Sequence, residues 1–303
     1  MAHTNEPIIL VTGATGQVGF ELLKSLQGLG RIVAPDRKTL NLADSDQIRA
    51  VVSEMKPALV VNPAAYTAVD QAESDRETAA RINSEAPRIL AEEARRIGAA
   101  LIHYSTDYVF DGAKNVPYDE TDATNPLNVY GQSKLDGERA IQAVGGRYLI
   151  FRTSWVYGTR GRNFLRTMLR LARDRSELSI VGDQFGAPTW STTIAAITAH
   201  VAAIGMVEHS DDDAWWEQRS GIYHLTSSGA TSWAAFAEAI FKFAAVDPRP
   251  SVKAIGSDEY PAQARRPKSS RMSNDKLTKA FGIRPPSWEE ALRLCIAECG
   301  QLR

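Results

Sequence analysis

Tyr130 and Lys134 are the residues of this sequence whose types and spacing most directly promise chemistry. Four positions apart at the start of an expected helix, they project from one face. Of the nine tyrosines in the chain, only Tyr130 has a lysine at that spacing. A phenol with an ordinary pKa of about 10 is a poor proton donor at neutral pH, and a fixed ammonium beside it brings that pKa closer to the working range. Thr106, in Tyr104-Ser105-Thr106-Asp107, offers a hydroxyl that can donate to a reacting carbonyl oxygen. Ser105 competes with it, but strand alternation sends the Ser105 side chain to the opposite face. The three groups together would protonate an alkoxide that forms as hydride reaches a carbonyl carbon. Taken alone, Tyr130 and Lys134 also read as an ordinary surface pair at a helix start, so the source of the hydride decides between the two readings.

That source is suggested by Gly13-Ala14-Thr15-Gly16-Gln17-Val18-Gly19, which follows one apolar run and opens a helical pattern. Glycines there allow a tight turn and let the backbone approach a pyrophosphate, and the helix start offers unpaired N–H groups with about half a positive charge. The spacing is G-x-x-G-x-x-G, not the more familiar G-x-G-x-x-G. Asp36 lies twenty residues past Gly16, where an acid can hold adenosine ribose hydroxyls. Arg37 and Lys38 follow at once and could instead hold a 2′-phosphate, so NADH and NADPH both stay open as cofactors. A third apolar run ends in Asn62-Pro63-Ala64-Ala65-Tyr66-Thr67, small enough to pass beneath such a cofactor. The ammonium of Lys134 can also reach the nicotinamide ribose.

These residues need a scaffold, and the first half of the chain supplies a rhythm for one. Short β-branched runs (residues 8–12, 31–34, 58–62, 99–105 and 147–152) alternate with helical patterns (17–29, 44–55, 76–97 and 130–144). Such alternation predicts parallel β-α-β units and an α/β, doubly wound, Rossmann-type sheet. After about Tyr157 the rhythm loosens, with helices expected at 161–173, 192–204, 233–245 and 287–299, and a surface loop at 210–219. The expected division is a dinucleotide-binding domain over 1–157, with a return segment at about 190–224. A smaller α+β substrate domain would comprise 158–189 and 225–303, its cleft lying over the sheet's C-terminal edge.

The order of these elements resembles the extended short-chain dehydrogenase/reductase family, and longer strings narrow the resemblance to the dTDP-4-dehydrorhamnose reductases. Those strings are His103 to Gly112, Pro126 to Gly131, Phe151 to Tyr157, Thr67 to Glu73, Asp183 to Thr189 and Arg266-Pro267. The resemblance covers essentially the whole chain. It implies reduction of the C4 keto group of dTDP-4-dehydro-β-L-rhamnose, a dTDP-linked 4-keto-6-deoxy sugar, to dTDP-L-rhamnose. It gives Tyr130 as proton donor, Lys134 as its partner and Thr106 as the hydroxyl that tunes it. Gly16, Gln17 and Val18 would touch the pyrophosphate, Asp36 the ribose, and Asn41 and Leu42 the adenine. Ala65 to Thr67 would run under the cofactor and Tyr104 would approach it, while Thr106, Asp107 and Trp155 would meet the sugar nucleotide. Arg266 reads as a diphosphate clamp, because a guanidinium binds phosphate oxygens bidentately. Asn62-Pro63 departs from the family's Asn-Ala. Some members dimerise through magnesium held by carboxylates; Glu21 matches one such ligand, but Thr192 stands where another acid is expected. That departure counts against a metal-bridged pair, and monomer and homodimer both stay open.

Bulk properties exclude several other classes. The 303 residues are 44% hydrophobic and 23% charged, the profile of a globular enzyme. With 35 basic against 36 acidic side chains, nothing draws the whole chain to nucleic acid or an anionic membrane. Met1 to Pro7 lacks a signal peptide's apolar stretch, and the apolar runs read as strand-length, short of the roughly 18 residues of a membrane span. Cys295 and Cys299 share one helical face, too few for a metal site or a disulfide framework, and the five histidines are scattered. A cytoplasmic, metal-independent enzyme is expected. Two rivals stay open. One is a sugar-nucleotide epimerase or 4,6-dehydratase on the same scaffold, although Asp107 has no following glutamate as dehydratases tend to have. The other is a non-catalytic regulator like the β subunit of methionine adenosyltransferase.

Overall fold

The computed structural model describes residues 6–209 and 212–301. Up to residue 153 it alternates strand and helix: β1 (Ile8–Val11), α1 (Gln17–Ser25), β2 (Arg31–Val33), α2 (Ser45–Met55) and β3 (Leu59–Asn62). Next come a short α3 (Val69–Ala72), α4 (Arg76–Ala80) and α5 (Ala86–Arg96), then β4 (Ala100–Thr106), α6 (Val129–Val144) and β5 (Tyr148–Thr153). The remainder is more broken: β6 (Val156–Tyr157), α7 (Phe164–Leu171), β7 (Glu177–Val181), β8 (Phe185–Gly186), β9 (Thr189–Trp190) and α8 (Ser191–Ala203). It closes with α9 (Asp213–Arg219), β10 (Gly221–His224), β11 (Thr231–Ser232), α10 (Trp233–Phe243), β12 (Ser251–Ile255), α11 (Asp275–Phe281) and α12 (Trp288–Gln301).

Six strands form one sheet in the order β10-β5-β4-β3-β1-β2, every pair parallel. The chain starts at β1, adds β2 on one side, and returns to add β3 on the other. At that reversal the loops leaving β1 and β3 diverge, which opens a crevice at the strands' C-terminal ends. Strands covered on both faces read as continuous apolar runs, as Ile9-Leu10-Val11 and Leu59-Val60-Val61 do, all fully buried. One face packs Ile9, Val11 and Ile102 against α1 and α8; the other packs Leu10, Val60 and Leu101 against α2, α5 and α6. A third core, around Leu165, Phe236, Phe241 and Leu292, joins α7, α10 and α12 beside the parallel β7–β12 pair.

Several elements differ from the sequence expectation for identifiable reasons. The helix expected over 76–97 is interrupted by a π turn at Arg81–Glu85, immediately before Pro87 near the start of α5. Proline lacks the N–H of a regular helical ladder, and the widened turn absorbs that loss. The stretch 210–219, expected as a surface loop, carries α9 instead, with Ser210 and Asp211 outside the described residues. Its charges suggested solvent, but Trp215 and Trp216 are buried in the core beside α8 and Phe281. The helix expected from 161 begins at Phe164, because the Asn163 side chain caps it by accepting from the Arg166 N–H at 3.0 Å. A π turn extends α8 to Glu208, so Ser191–Glu208 is one described helix long and apolar enough to cross a membrane, contrary to the strand-length expectation. Half of that window is buried within the fold, and α8 lies along α1.

Candidate active site

A cavity of about 730 Å³ opens where β1 and β3 part, its floor made by the loops that follow them. Gly13 has φ +56, and a Cβ there would lie 2.9 Å from the Ala64 backbone; one on Gly19 would lie 2.2 Å from the Gly13 carbonyl oxygen. Glycine at 13 lets the two loops touch, and glycine at 19 lets the start of α1 close on the first of them. Gly16 is the N-cap of α1 and provides no side-chain cap, so the first N–H groups of that helix meet the cavity uncapped. At the β2 end, one oxygen of Asp36 accepts from the Thr39 N–H at 2.9 Å, the Lys38 N–H at 3.0 Å and the Thr39 hydroxyl at 3.0 Å. Those bonds, the Thr39 N–H foremost, hold its carboxyl below the usual range. The second oxygen takes part in none of them. A glycine cradle, an uncapped helix start and a half-free carboxylate are what a dinucleotide's pyrophosphate and ribose need, and the residues fit that cofactor.

At the opposite end of the cavity stand Tyr130 and Lys134. They lie in the first turns of α6, whose N-cap Asn128 accepts from the Gly131 N–H at 2.8 Å and donates to the Arg265 carbonyl at 2.7 Å. Helix α6 sits tightly on its neighbours: a Cβ on Gly131 would lie 2.2 Å from the Tyr108 carbonyl oxygen, and one on Gly137 2.1 Å from that of Asn83. Burial pushes the Tyr130 phenol up to about 12, with its hydrogen bond to Thr106 opposing and the charge of Asp107 adding to the rise. Burial also pulls Lys134 down to about 8, partly opposed by Glu138 one turn along the helix. The Lys134 amino group donates to the Tyr104 carbonyl at 2.6 Å and meets His103 Nε2 at 3.2 Å. The expectation that this ammonium pulls the phenol toward neutrality is therefore corrected. Lys134 is occupied by β4, and the phenol's own burial dominates.

Around the phenol the chain gathers polar groups. Thr106 donates to Asp107 Oδ1 at 3.1 Å and accepts from the Tyr108 N–H at 3.2 Å. Burial raises the Asp107 carboxyl to about 7 against hydrogen bonds from Ser270 and Thr106, and its Oδ2 is buried with no partner. The Tyr108 ring meets Tyr130 edge-on at 5.9 Å. Arg266 donates to Asp70 at 2.8 Å and lies beside Tyr108, with Nη1 buried and unpartnered. Trp155, at φ +46, stacks on Trp233 with centroids 3.6 Å apart and packs its other side on Gly186, where a Cβ would sit 2.6 Å from the indole.

The chain was then compared with known proteins. The model of the RmlD substrate binding domain matches residues 7–301. The dTDP-4-dehydrorhamnose reductase of Burkholderia thailandensis is 49% identical over 296 residues, 96% of this chain and 98% of that protein. The enzyme of the same name from Escherichia coli strain K12 is 42% identical over 96% of this chain and 97% of its own. The solved dTDP-4-dehydrorhamnose reductase of Bacillus anthracis, in complex with NADP, superposes with a TM-score of 0.89 at 36% identity, covering 97% and 99% of the two chains. This chain belongs to the dTDP-4-dehydrorhamnose reductase family.

In this member of the family the cavity wall brings together Gly13, Gly16, Gln17, Val18, Gly19, Asp36, Arg37, Asn41, Leu42, Ala64, Ala65, Thr67, Tyr104, Tyr130 and Lys134. Tyr66 is not in that wall. Its N–H donates to Asn83 at 2.8 Å, its carbonyl accepts from Asn83 at 3.0 Å and its hydroxyl donates to Asp75 at 3.2 Å. Tyr104 reaches the wall, but its hydroxyl is bonded to Thr198 at 2.7 Å on the α8 side. Thr106, Asp107, Trp155 and Arg266 lie outside this wall; the first two adjoin the phenol and Arg266 reaches it through Tyr108, which makes up a far side of the site. Glu21 is buried 2.5 Å from Lys24, and among the described residues no group of three His, Cys, Asp or Glu side chains could hold a metal ion. Sequence reasoning named Ser105 only as a competitor of Thr106 and set it aside, yet Ser105 lines this wall and Thr106 does not. It missed Thr153, which like Ser105 is a buried hydroxyl without a partner, and the loop residues Gly161 and Arg162. The signal for that loop was Asn163: reading it as a cap would have freed 159–162 to fold over the glycine turn, where Asn163 donates to Gln17 at 2.8 Å.

Proposed function

We propose that the chain reduces the C4 keto group of dTDP-4-dehydro-β-L-rhamnose to give dTDP-L-rhamnose, with NADPH or NADH as hydride source. The observation that carries this reading is the convergence of Tyr130 and the buried Lys134 on the wall of one glycine-floored cavity, with Thr106 beside the phenol. Gly16 to Val18 and Asp36 would hold the cofactor's pyrophosphate and ribose, with Arg37 and Lys38 available to a 2′-phosphate. The bound nicotinamide supplies the hydride to C4. The Tyr130 phenol, protonated throughout the neutral range, donates its proton to the C4 oxygen as negative charge develops there. Thr106 keeps the phenol oriented, and its single proton, given to Asp107 Oδ1 before the reaction, would turn to the Tyr130 oxygen to support the phenolate left behind. Lys134 adds positive charge at the same end of the cavity and a donor for the ribose. Asp107 and Trp155 would contact the sugar nucleotide, and the unpartnered Arg266 Nη1 suits a diphosphate oxygen.

The reading includes the domain division expected from sequence, supported by β10 pairing with β5 and by α8 lying on α1, both within the first unit's layers. It also includes a cytoplasmic setting, a reducing one that suits the buried Cys295. The test is direct. Purified chain is mixed with the dTDP-keto sugar and, in parallel, NADPH or NADH, while nicotinamide absorbance and product are followed. Stoichiometric loss of absorbance with formation of dTDP-L-rhamnose is expected. Product without cofactor consumption would point to an epimerase, and retained cofactor binding with no turnover to a non-catalytic regulator; either outcome sinks the reading.

A further inference from the structure

Behind Lys134 the sheet contains a line of polar side chains where its neighbours are aliphatic. His103 occupies the middle of β4 and Asn62 the end of β3; both are wholly buried, and Thr12 after β1 is nearly so. In a covered parallel sheet such positions ordinarily hold Val, Ile or Leu, and polar groups there are costly unless each is hydrogen-bonded. Here they are bonded in series. Thr12 Oγ1 donates to Asn62 Oδ1 at 2.6 Å, Asn62 Nδ2 lies 3.1 Å from His103 Nδ1, and His103 Nε2 3.2 Å from Lys134 Nζ. None of these three residues reaches the phenol, and none has been given a role above.

We propose that His103 is the positioning residue for Lys134: a neutral imidazole, braced from behind by Asn62 and Thr12, that accepts from the amino group at Nε2 and fixes it in place. An ammonium has three N–H donors. The Tyr104 carbonyl takes one at 2.6 Å and His103 takes a second, which leaves the third for the cavity in which Tyr130 stands. For Nε2 to accept, the ring must carry its proton on Nδ1. In the structure the Asn62 NH2 faces Nδ1 and its oxygen accepts from Thr12, so this tautomer requires the Asn62 amide to turn over, its oxygen to the ring proton and its NH2 to the Thr12 oxygen. The ring stays neutral because burial and the facing lysine both hold its pKa well below the usual histidine value. The other charged or titratable groups packed around the pair are Glu138 on α6, which is bonded to Arg152 of β5, and Tyr104 and Tyr130. Only His103 offers Lys134 a side-chain acceptor among the bonds it makes.

This inference rests on the reductase reading for its kinetic arm, and its spectroscopic arm stands without turnover. Nitrogen-15 spectra of wild type and His103→Gln, compared between about pH 6 and 9, isolate the His103 ring. A neutral ring protonated on Nδ1 throughout is expected; an imidazolium at neutral pH, or a ring protonated on Nε2 while Lys134 is charged, overturns the proposal. In the kinetic arm, His103→Phe keeps a ring but removes the acceptor. Losing a hydrogen bond to a charged group disfavours the ammonium, so the basic limb of the kcat/KM profile should move down by about one to two pH units. His103→Gln, whose amide oxygen can accept, should return the limb toward its wild-type position. A limb that stays put in His103→Phe, or moves equally in both variants, reduces His103 to core packing and overturns the proposal. If the wild-type chain itself does not turn over, the reductase reading fails, and the ring's tautomer still decides this one.

Discussion

The two walls that meet at Tyr130 bond their polar groups to different extents. On the cofactor side the network from Thr12 through Asn62 and His103 to Lys134 and the Tyr104 carbonyl is closed, each member bonded to the next. Behind it the almost wholly buried Arg152–Glu138 pair is joined by two bonds of 2.9 and 2.6 Å, and what this side leaves open is Arg152 Nη1 and the two neutral hydroxyls of Ser105 and Thr153. On the far side Asp107 Oδ2 and Arg266 Nη1 are buried and unpartnered, a carboxylate oxygen and a guanidinium N–H left with bonding capacity. Closed networks in a low-dielectric interior are rigid and costly to break, whereas half-closed ones keep donors and acceptors for something else. In the proposed function one wall holds the reacting groups in place, and the other keeps the charged groups that would meet the sugar nucleotide.

The contrast can be broken most severely from behind the closed wall. Replacing Glu138 with Ala leaves Arg152 as an uncompensated buried charge, and loss of one partner from such a pair costs about 3–5 kcal/mol. Chemical denaturation should show that loss, and Arg152→Met combined with Glu138→Leu should recover most of it; a single substitution that unfolds like wild type would remove the pair from the scaffold. Next in size is Tyr130→Phe, which keeps the ring against Tyr108 but removes the proton. Turnover should fall by roughly 100-fold or more, the range for a lost general acid, while cofactor affinity measured by fluorescence titration stays near wild type. Near-normal turnover would take Tyr130 out of the reaction.

The two walls also differ in how far the sequence displayed them. The cofactor side was legible because its signals are local. A glycine turn between an apolar run and a helix, an acid after the second strand and a Tyr-Lys spacing of one helical turn each lie within a few residues. Hence fifteen of the sixteen residues expected around the cofactor line one cavity. Tyr66 escaped because its fate depends on Asn83, presented by a π turn that periodicity does not reveal. His103 and Asn62 were visible as polar residues in apolar strands, but only strand register sets them side by side. The far wall is assembled from distant pieces. Asp70 on α3 holds Arg266 and accepts from the Ala264 N–H at 3.0 Å, joining residues almost two hundred positions apart. The β7–β12 pair and α11 likewise arise from short segments with no strong period.

Arg266→Ala sharpens the comparison from the open side. It removes the guanidinium assigned to the diphosphate, and loss of a charge-assisted hydrogen bond corresponds to about a 10- to 100-fold change in affinity. KM for the sugar nucleotide should rise accordingly, with the cofactor's dissociation constant unchanged. Equal weakening of both ligands would mean that Arg266 acts through the scaffold by way of Asp70.

The smallest effect is expected from Asp107→Asn and is read from a curve's shape. Burial raises the Asp107 carboxyl to about 7, so it is neutral below that pH and a carboxylate above it. In its ionised form it opposes formation of phenolate on Tyr130 and makes the phenol a weaker donor. The wild-type profile should therefore decline gently as pH rises through about 7, before the steeper loss that follows deprotonation of Lys134 near 8. Asparagine stays neutral, so the gentle step should vanish while the steep one remains. The substitution also alters a side chain that the proposed function sets against the sugar nucleotide, which is why the profile's shape rather than its height is the readout. A gentle step that persists in Asp107→Asn would show that the titration belongs to another group, and that the far wall recognises its ligand without modulating the phenol.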